Sequence, residues 1–407
     1  MSTQTTSITS KISLASSAYD VENYRSLVPV VAETDILYLN ASYQPPMNIR
    51  VRRAIDGYLD EALHEPHPKP MWQASGEETR ALVGRYIGAP PESIAFTSDT
   101  TEGLNLFQRS LNLGKGDNVV VLDTEHPNHA YGWLALQETG LEVRQVPTND
   151  RLYADASTFA PFVDENTKAI GISSIMFHSG QKNNVKDICD HFRPRGIHVL
   201  ADITQEVGVG PINVTRTGVS AACFSFHKAL GCPTGLGALY INPVVLEQIK
   251  QTPPIVGAGA ISNLRADLLA MSGPLKCHKT TKRYEHLNLS LISLCAANAA
   301  LRLLLDEMTP EGVEAHLRSL GRVLQDECKA LGIQIIGEED EAKRAPHLYV
   351  LKLLDLAWAE HFSRNSTYVS CYRLGVRVSL GFYNTEADIR KLGVVLRKGL
   401  EMGLPAC

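Results

Sequence analysis

Asp202-Ile203-Thr204-Gln205, then Ser225-Phe226-His227-Lys228, then Gly231-Cys232-Pro233-Thr234-Gly235-Leu236-Gly237 is the most informative stretch of the chain. Asp202 closes an apolar run, 198–202, that reads as a strand buried on both faces. A carboxylate there is expensive to bury, so a cationic partner is expected. Lys228 follows 26 positions later (228 − 202), just past a second short apolar run at 222–225. Its amine can act as a nucleophile. Ser225 and His227 flank it and can donate hydrogen bonds to an anion, and the glycines allow tight turns beside a ligand. Singly, each residue has a plainer reading. A lysine after a strand is commonly a surface lysine, and an aspartate at a strand end is often a helix N-cap. The joint spacing carries the argument.

Outward from this stretch, short apolar runs alternate with amphipathic segments. Residues 36–39, 93–97, 118–122, 143–146, 169–174, 198–202, 222–225 and 238–241 read as strands, and 48–63, 75–87 and 185–192 as helices. The Pro/His-rich stretch 64–70 reads as a loop. This rhythm predicts an α/β fold with an open sheet. Beyond about residue 290 the pattern changes. Long helices at 291–308 and 309–331 precede strands near 333–336, 347–353 and 376–380 and a last helix at 385–402. The expected organisation is a disordered tail at 1–17, an N-terminal arm at 18–35, a large domain at 36–289 and a smaller α+β domain at 290–407.

The chain has 407 residues and a formal charge of −5, which argues against nucleic-acid binding. No apolar run approaches the roughly 20 residues of a membrane span. The Ser/Thr-rich start lacks the apolar core of a secretory signal. Eight cysteines without CxxC spacing speak for free thiols in a reducing, cytoplasmic setting and against a metal site.

The segment from Asp202 to Lys228 resembles the lysine region of class V aminotransferases. These are fold-type-I enzymes of pyridoxal 5'-phosphate (PLP) that include cysteine desulfurases and isopenicillin N epimerase-like proteins, and the resemblance implies a large domain with a mostly parallel seven-stranded sheet. Other stretches match in order, from about Tyr38 to Leu400. The resemblance implies a Schiff base between PLP and Lys228, with Asp202 keeping the pyridine nitrogen protonated so that the ring acts as an electron sink. Thr97-Ser98-Asp99-Thr100-Thr101-Glu102-Gly103 resembles the phosphate loop, with Thr100 and Thr101 as contacts at a helix N-terminus. Thr124-Glu125-His126-Pro127-Asn128 resembles the segment whose histidine stacks on the ring, so His126 takes that place. Gln205, Ser225 and His227 complete the cofactor set. Val376-Arg377-Val378-Ser379 resembles the segment whose arginine binds the substrate carboxylate, a role guanidinium suits through its planar fork. Asn40 and Tyr43 lie where substrate specificity is usually set. The resemblance also implies a homodimer with Tyr284 to Ser290 reaching the neighbouring site.

The pattern departs from the family in three places. The nucleophilic cysteine loop of desulfurases has no counterpart: Cys371 lies six residues before Arg377 in a strand-like run, Thr367-Tyr368-Val369-Ser370-Cys371-Tyr372. Phe177 and His178 stand where an Asn often faces the cofactor. Arg283-Tyr284-Glu285-His286-Leu287-Asn288-Leu289-Ser290 replaces the usual R-F-E-x-G-T-P. These departures resemble isopenicillin N epimerase-like proteins of specialised metabolism, closest in kind to the PLP enzyme of loline-alkaloid biosynthesis. The expected reaction is then a Cα carbanion of an amino acid forming a C–C bond in an intramolecular Mannich-type cyclisation. A cysteine desulfurase or C–S lyase is the alternative, and an epimerase or aminotransferase the third.

Overall fold

The computed structural model describes residues 19–148, 152–267 and 273–406; the tail expected at 1–17 lies outside them. In chain order the strands are β1 (Leu37–Tyr38), β2 (Ile94–Thr97), β3 (Asn118–Leu122), β4 (Glu142–Val146), β5 (Thr167–Ser173), β6 (His198–Asp202), β7 (Ala221–Ser225), β8 (Gly237–Ile241), β9 (Leu348–Leu351), β10 (Thr367–Tyr368), β11 (Ser370–Tyr372) and β12 (Gly375–Ser379). Seven of them form one sheet in the order β2-β8-β7-β6-β5-β3-β4. Only β8 runs against the others, pairing antiparallel with both β2 and β7. The α/β class and the mostly parallel seven-stranded sheet are as expected.

Side-chain alternation explains the two layers around this sheet. In β3, Val120 and Leu122 join a core cluster with Ile172, Ala201 and Phe224, while Val119 and Val121 join a second cluster on the opposite face with Leu200 and Cys223. Every residue of β3 is therefore buried. The edge strand β4 instead carries Glu142, Arg144 and Gln145, polar groups suited to an edge.

The carboxy-terminal part builds a three-stranded antiparallel sheet, β11-β12-β9, beside the helices Pro310–Ala330 and Glu386–Glu401. The boundaries at 36 and 290 are kept as a proposal. Strand pairing nonetheless crosses them, because β1 hydrogen-bonds in parallel with β10. Tyr24 donates to the Glu307 carbonyl at 3.1 Å, and Arg25 pairs with Asp388 at 2.8 Å. The amino-terminal arm is thus tied to the carboxy-terminal part.

Three local expectations change. The helix expected from residue 75 begins at Lys69, so the 64–70 loop is shorter; Pro70 sits in its first turn, where a missing N–H costs nothing. The last turn of the helix expected at 291–308 is a π-helix, Leu303–Met308, whose bonds reach one residue further. The strand expected at 333–336 is a single bridge, Ile335 to Leu351.

A buried ion pair fixes β2 to the helix Lys69–Ile87. The Arg80 guanidinium donates to both oxygens of Glu285, and the Phe96 N–H donates to the same carboxylate at 2.7 Å. Both side chains are buried. Glu77 also pairs with Arg80, at 2.9 Å, so removing Glu285 leaves the guanidinium one carboxylate while the Phe96 N–H loses its acceptor. Glu285→Ala is expected to cost about 1.5–3 kcal/mol, read as a lowered urea midpoint.

Candidate active site

Five strands end at one place. β2, β3, β5, β6 and β7 present their carboxyl ends on the same side of the sheet, where open α/β sheets bind ligands. Ser173, Asp202 and Ser225 are the last residues of β5, β6 and β7. A cavity of about 260 Å³ opens there, and its walls bring together Lys228, Asp202, His126, Thr100, Thr101, Gln205, Ser225, His227, Tyr43 and Arg377.

Lys228 follows β7 in a turn whose closure needs glycine. Gly235 has φ +99°, and a Cβ on Gly237 would meet the Asp99 carbonyl carbon at 2.6 Å. The Lys228 ammonium donates to the Tyr43 carbonyl at 2.9 Å. Burial and then the nearby Arg377 charge push its pKa down to about 8, against the pull of Asp202. Asp202 is 8% exposed and accepts the Thr204 N–H at 2.9 Å. Burial raises its pKa, opposed by Thr204 and by the charges of His126 and Lys228.

The helix Thr100–Ser110 starts at the cavity, with Asp99 as its N-cap. Its Thr100 N–H donates to Ser225 Oγ at 2.9 Å, and the Thr100 hydroxyl bonds both Ser225 Oγ (2.7 Å) and Thr204 Oγ1 (2.9 Å). This cluster of hydroxyls at a helix N-terminus is a ready anion site. His227 beside it is held neutral, its pKa pushed down to about 4 by burial and by Lys228.

His126 caps the helix Pro127–Leu134, its Nδ1 accepting the Asn128 N–H at 3.2 Å. Burial lowers its pKa. Glu125, quoted in the sequence only as a neighbour, clamps this histidine. Its carboxylate accepts the His126 N–H at 2.8 Å, the Ser173 N–H at 2.7 Å and the Ser173 hydroxyl. Burial pushes its pKa up to about 7.

Arg377, on β12, is 2% exposed. Its Nη1 donates to the Phe177 carbonyl at 2.9 Å, and its guanidinium lies 4.7 Å over the Tyr372 ring. Its Nε is buried without a partner. Among the described residues no carboxylate pairs with it.

Asn40 is not among the residues lining the cavity. It forms a bridge with Ser379, and its side chain accepts the Ser370 hydroxyl at 2.6 Å, behind Arg377. Short backbone pairing draws it into the small sheet instead. Sequence reasoning gave no role to Ser42, Ser173, Thr204 or Tyr372, which the cavity includes. For Ser173 a signal was present, since it ends a parallel strand as Asp202 and Ser225 do.

Residues 64–392 match the family Aminotransferase class-V. An uncharacterized aminotransferase of Schizosaccharomyces pombe is 54% identical over 95% of this chain and 97% of its own length. A probable cysteine desulfurase of Methanothermobacter thermautotrophicus is 26% identical over 94% of this chain and 98% of its own. A structure of a C-DES mutant, with glycine covalently linked to its PLP cofactor, superposes with TM-score 0.81 at 21% identity, covering 91% of this chain and 98% of that one. The fold and the cavity define a fold-type-I PLP enzyme. The chain belongs to the class-V aminotransferase family, and its cofactor is PLP.

The residues present fit that cofactor. A buried amine of lowered pKa suits an aldehyde, a buried carboxylate suits a protonated ring nitrogen, and the Thr100/Ser225/Thr204 hydroxyls suit a phosphate. Only the neutral amine attacks an aldehyde. With a pKa of about 8, a useful fraction of Lys228 is neutral at pH 7, whereas an ordinary lysine at about 10.4 has almost none. The rate at which apoprotein captures PLP is therefore expected to rise with pH through a midpoint near 8, followed by absorbance; a midpoint near 10 is the contrary result.

Proposed function

We propose that this enzyme works at the α-carbon of an α-amino acid, and that it does so without a cysteine relay. The observation that carries this reading is Arg377, a buried guanidinium with an unused Nε and no protein carboxylate, in the same cavity as Lys228 and Asp202. A substrate α-carboxylate would supply the missing counter-charge.

Bound there, PLP supplies the electron sink that weakens the bonds to Cα. The chain supplies the rest. Lys228 would hold the cofactor aldehyde through its amine, and the same amine, lining the cavity, could move a proton at Cα. Asp202 keeps the proton on the ring nitrogen. Thr100, Thr101, Ser225 and His227 hold the phosphate, with Gln205 and His126 at the ring. Glu125 keeps His126 in place from behind.

The case against a relay is geometric. Cys371 lies on β11, as expected; the residue is exposed, with its thiol partly covered. Successive residues of a strand face opposite sides. Ser370 and Tyr372 both face Arg377, so Cys371 points away from the cavity. Its thiol is pushed up by partial burial, which disfavours the nucleophilic thiolate. The desulfurase relative favours cleavage of a C–S bond as the reaction. Intramolecular C–C bond formation is the alternative, suggested by Phe177 and His178; the relatives give the alkaloid setting no support.

We also infer a homodimer. Ile255, Val256, Leu264, Leu275 and Leu287 are exposed along one stretch that a second copy would cover. The free cysteines favour a cytoplasmic setting. Among the described residues no helix is long and apolar enough to cross a membrane.

Borohydride reduction of the holoenzyme is expected to fix PLP on the peptide carrying Lys228, while Asp202→Asn retains PLP but loses about 10²-fold or more in turnover. Label on another lysine, or near-normal turnover, refutes the assignment. Cys371→Ala is expected to keep most activity; loss of turnover together with a trappable persulfide would establish the relay. Sedimentation at micromolar concentration is expected to give twice the chain mass of 44.6 kDa.

A further inference from the structure

We propose that Phe177 and Tyr372 form an aromatic wall that holds Arg377 ready for the substrate carboxylate and admits amino acids whose side chains are uncharged, thioethers included. This rests on the amino-acid reading above and specifies its substrate class.

The Phe177 ring meets His126 edge-on at 4.9 Å between centroids and an interplanar angle of 74°, and meets Tyr372 at 6.3 Å and 83°. Its own carbonyl accepts from Arg377, while the Tyr372 face receives the guanidinium at 4.7 Å. One aromatic pair thus touches the cofactor-side histidine and the carboxylate-side arginine. The remaining Arg377 contact is a long one, Nη2 to Ser370 Oγ at 3.5 Å. Tyr372 is therefore a positioning residue: its ring offsets part of the cost of a buried, unpaired cation and fixes the plane of the fork.

The charges that line the cavity are all occupied. Asp99 caps its helix, accepting the Glu102 N–H at 2.8 Å. Asp202, Lys228 and Arg377 have the roles given above, and burial lowers the pKa of both His126 and His227. Arg373 and Asp123 act on His178, which lies outside the cavity lining. What is left for a substrate side chain is apolar or aromatic, as Tyr43, Ile175, Phe177 and Tyr372 are, or polar without charge, as Ser42, Asn128 and Gln205 are. An acidic side chain would give up part of its hydration there without gaining a counter-ion. A basic one would find the Tyr372 face already taken by a like charge. A neutral chain gains aromatic contact, and a thioether sulfur gains most.

The test is titration of the holoenzyme with methionine, leucine, aspartate and lysine, following the visible absorbance of the bound cofactor. Methionine and leucine are expected to bind at least about tenfold more tightly than aspartate or lysine. Tyr372→Ser should raise the Kd for methionine about tenfold yet leave that of its decarboxylated amine, which has no carboxylate for Arg377, within about twofold; Tyr372→Phe should stay within about threefold of the parent. Retained cofactor absorbance and circular dichroism show that each variant is folded. Equal binding of aspartate or lysine overturns the wall, as does an unchanged methionine Kd in Tyr372→Ser or an equal loss for the amine. If no amino acid perturbs the absorbance, the amino-acid reading itself falls, and the wall with it.

Discussion

Asp202 ends a strand that is buried on both faces, and its carboxylate is 8% exposed. Placing an anion there is costly unless something cationic answers it. Around it the chain arranges Lys228 from the next strand, the imidazole of His126 and the Thr204 N–H. In the role proposed for Asp202, a protonated ring nitrogen would be the remaining answer. The parallel sheet makes this possible, because five strand ends meet at one edge and helices cover both faces against water.

The supports around that edge are as specific as the site. Glu125 takes three hydrogen bonds, and in doing so ties the end of β5 to the backbone of His126. The reversed strand β8 returns the chain so closely over Asp99 that only glycine fits at residue 237. Arg80 and Glu285 tie β2 to its neighbouring helix, and β2 leads directly into the N-terminus that faces Ser225. Arg283-Tyr284-Glu285 is buried within its own chain, with Tyr284 bonded to Ser110 and Arg283 to Gln251. At these three positions the segment anchors the fold of the chain that carries it.

The departures from the family pattern become coherent in three dimensions. A tight hairpin, β11 and β12, stands where a desulfurase would carry a mobile thiol. Strand alternation in that hairpin turns Tyr372 inward and Cys371 outward. Phe177 meets Tyr372 from the opposite wall. On the proposed reading, this aromatic surface stands where the family resemblance expects a nucleophile and a polar contact.

The sequence by itself determined an α/β sheet covered on both faces, since continuous runs such as Asn118-Val119-Val120-Val121-Leu122 are stable only in that setting. It also singled out Asp202 at a strand end and Lys228 just past the next one, the pair proposed here as the cofactor's carboxylate and lysine. Helix starts were less legible: Pro70 reads as a breaker, yet it is tolerated in a first turn. Only the tertiary structure decided that Asn40 stands behind Arg377, that Glu125 holds His126 from beneath, and that Cys371 faces away. Those outcomes depend on contacts between segments tens to hundreds of residues apart, such as Ser370 with Asn40 and Arg377 with Phe177. Local periodicity reports which face of a strand is buried; it does not report which distant side chain will lie against it.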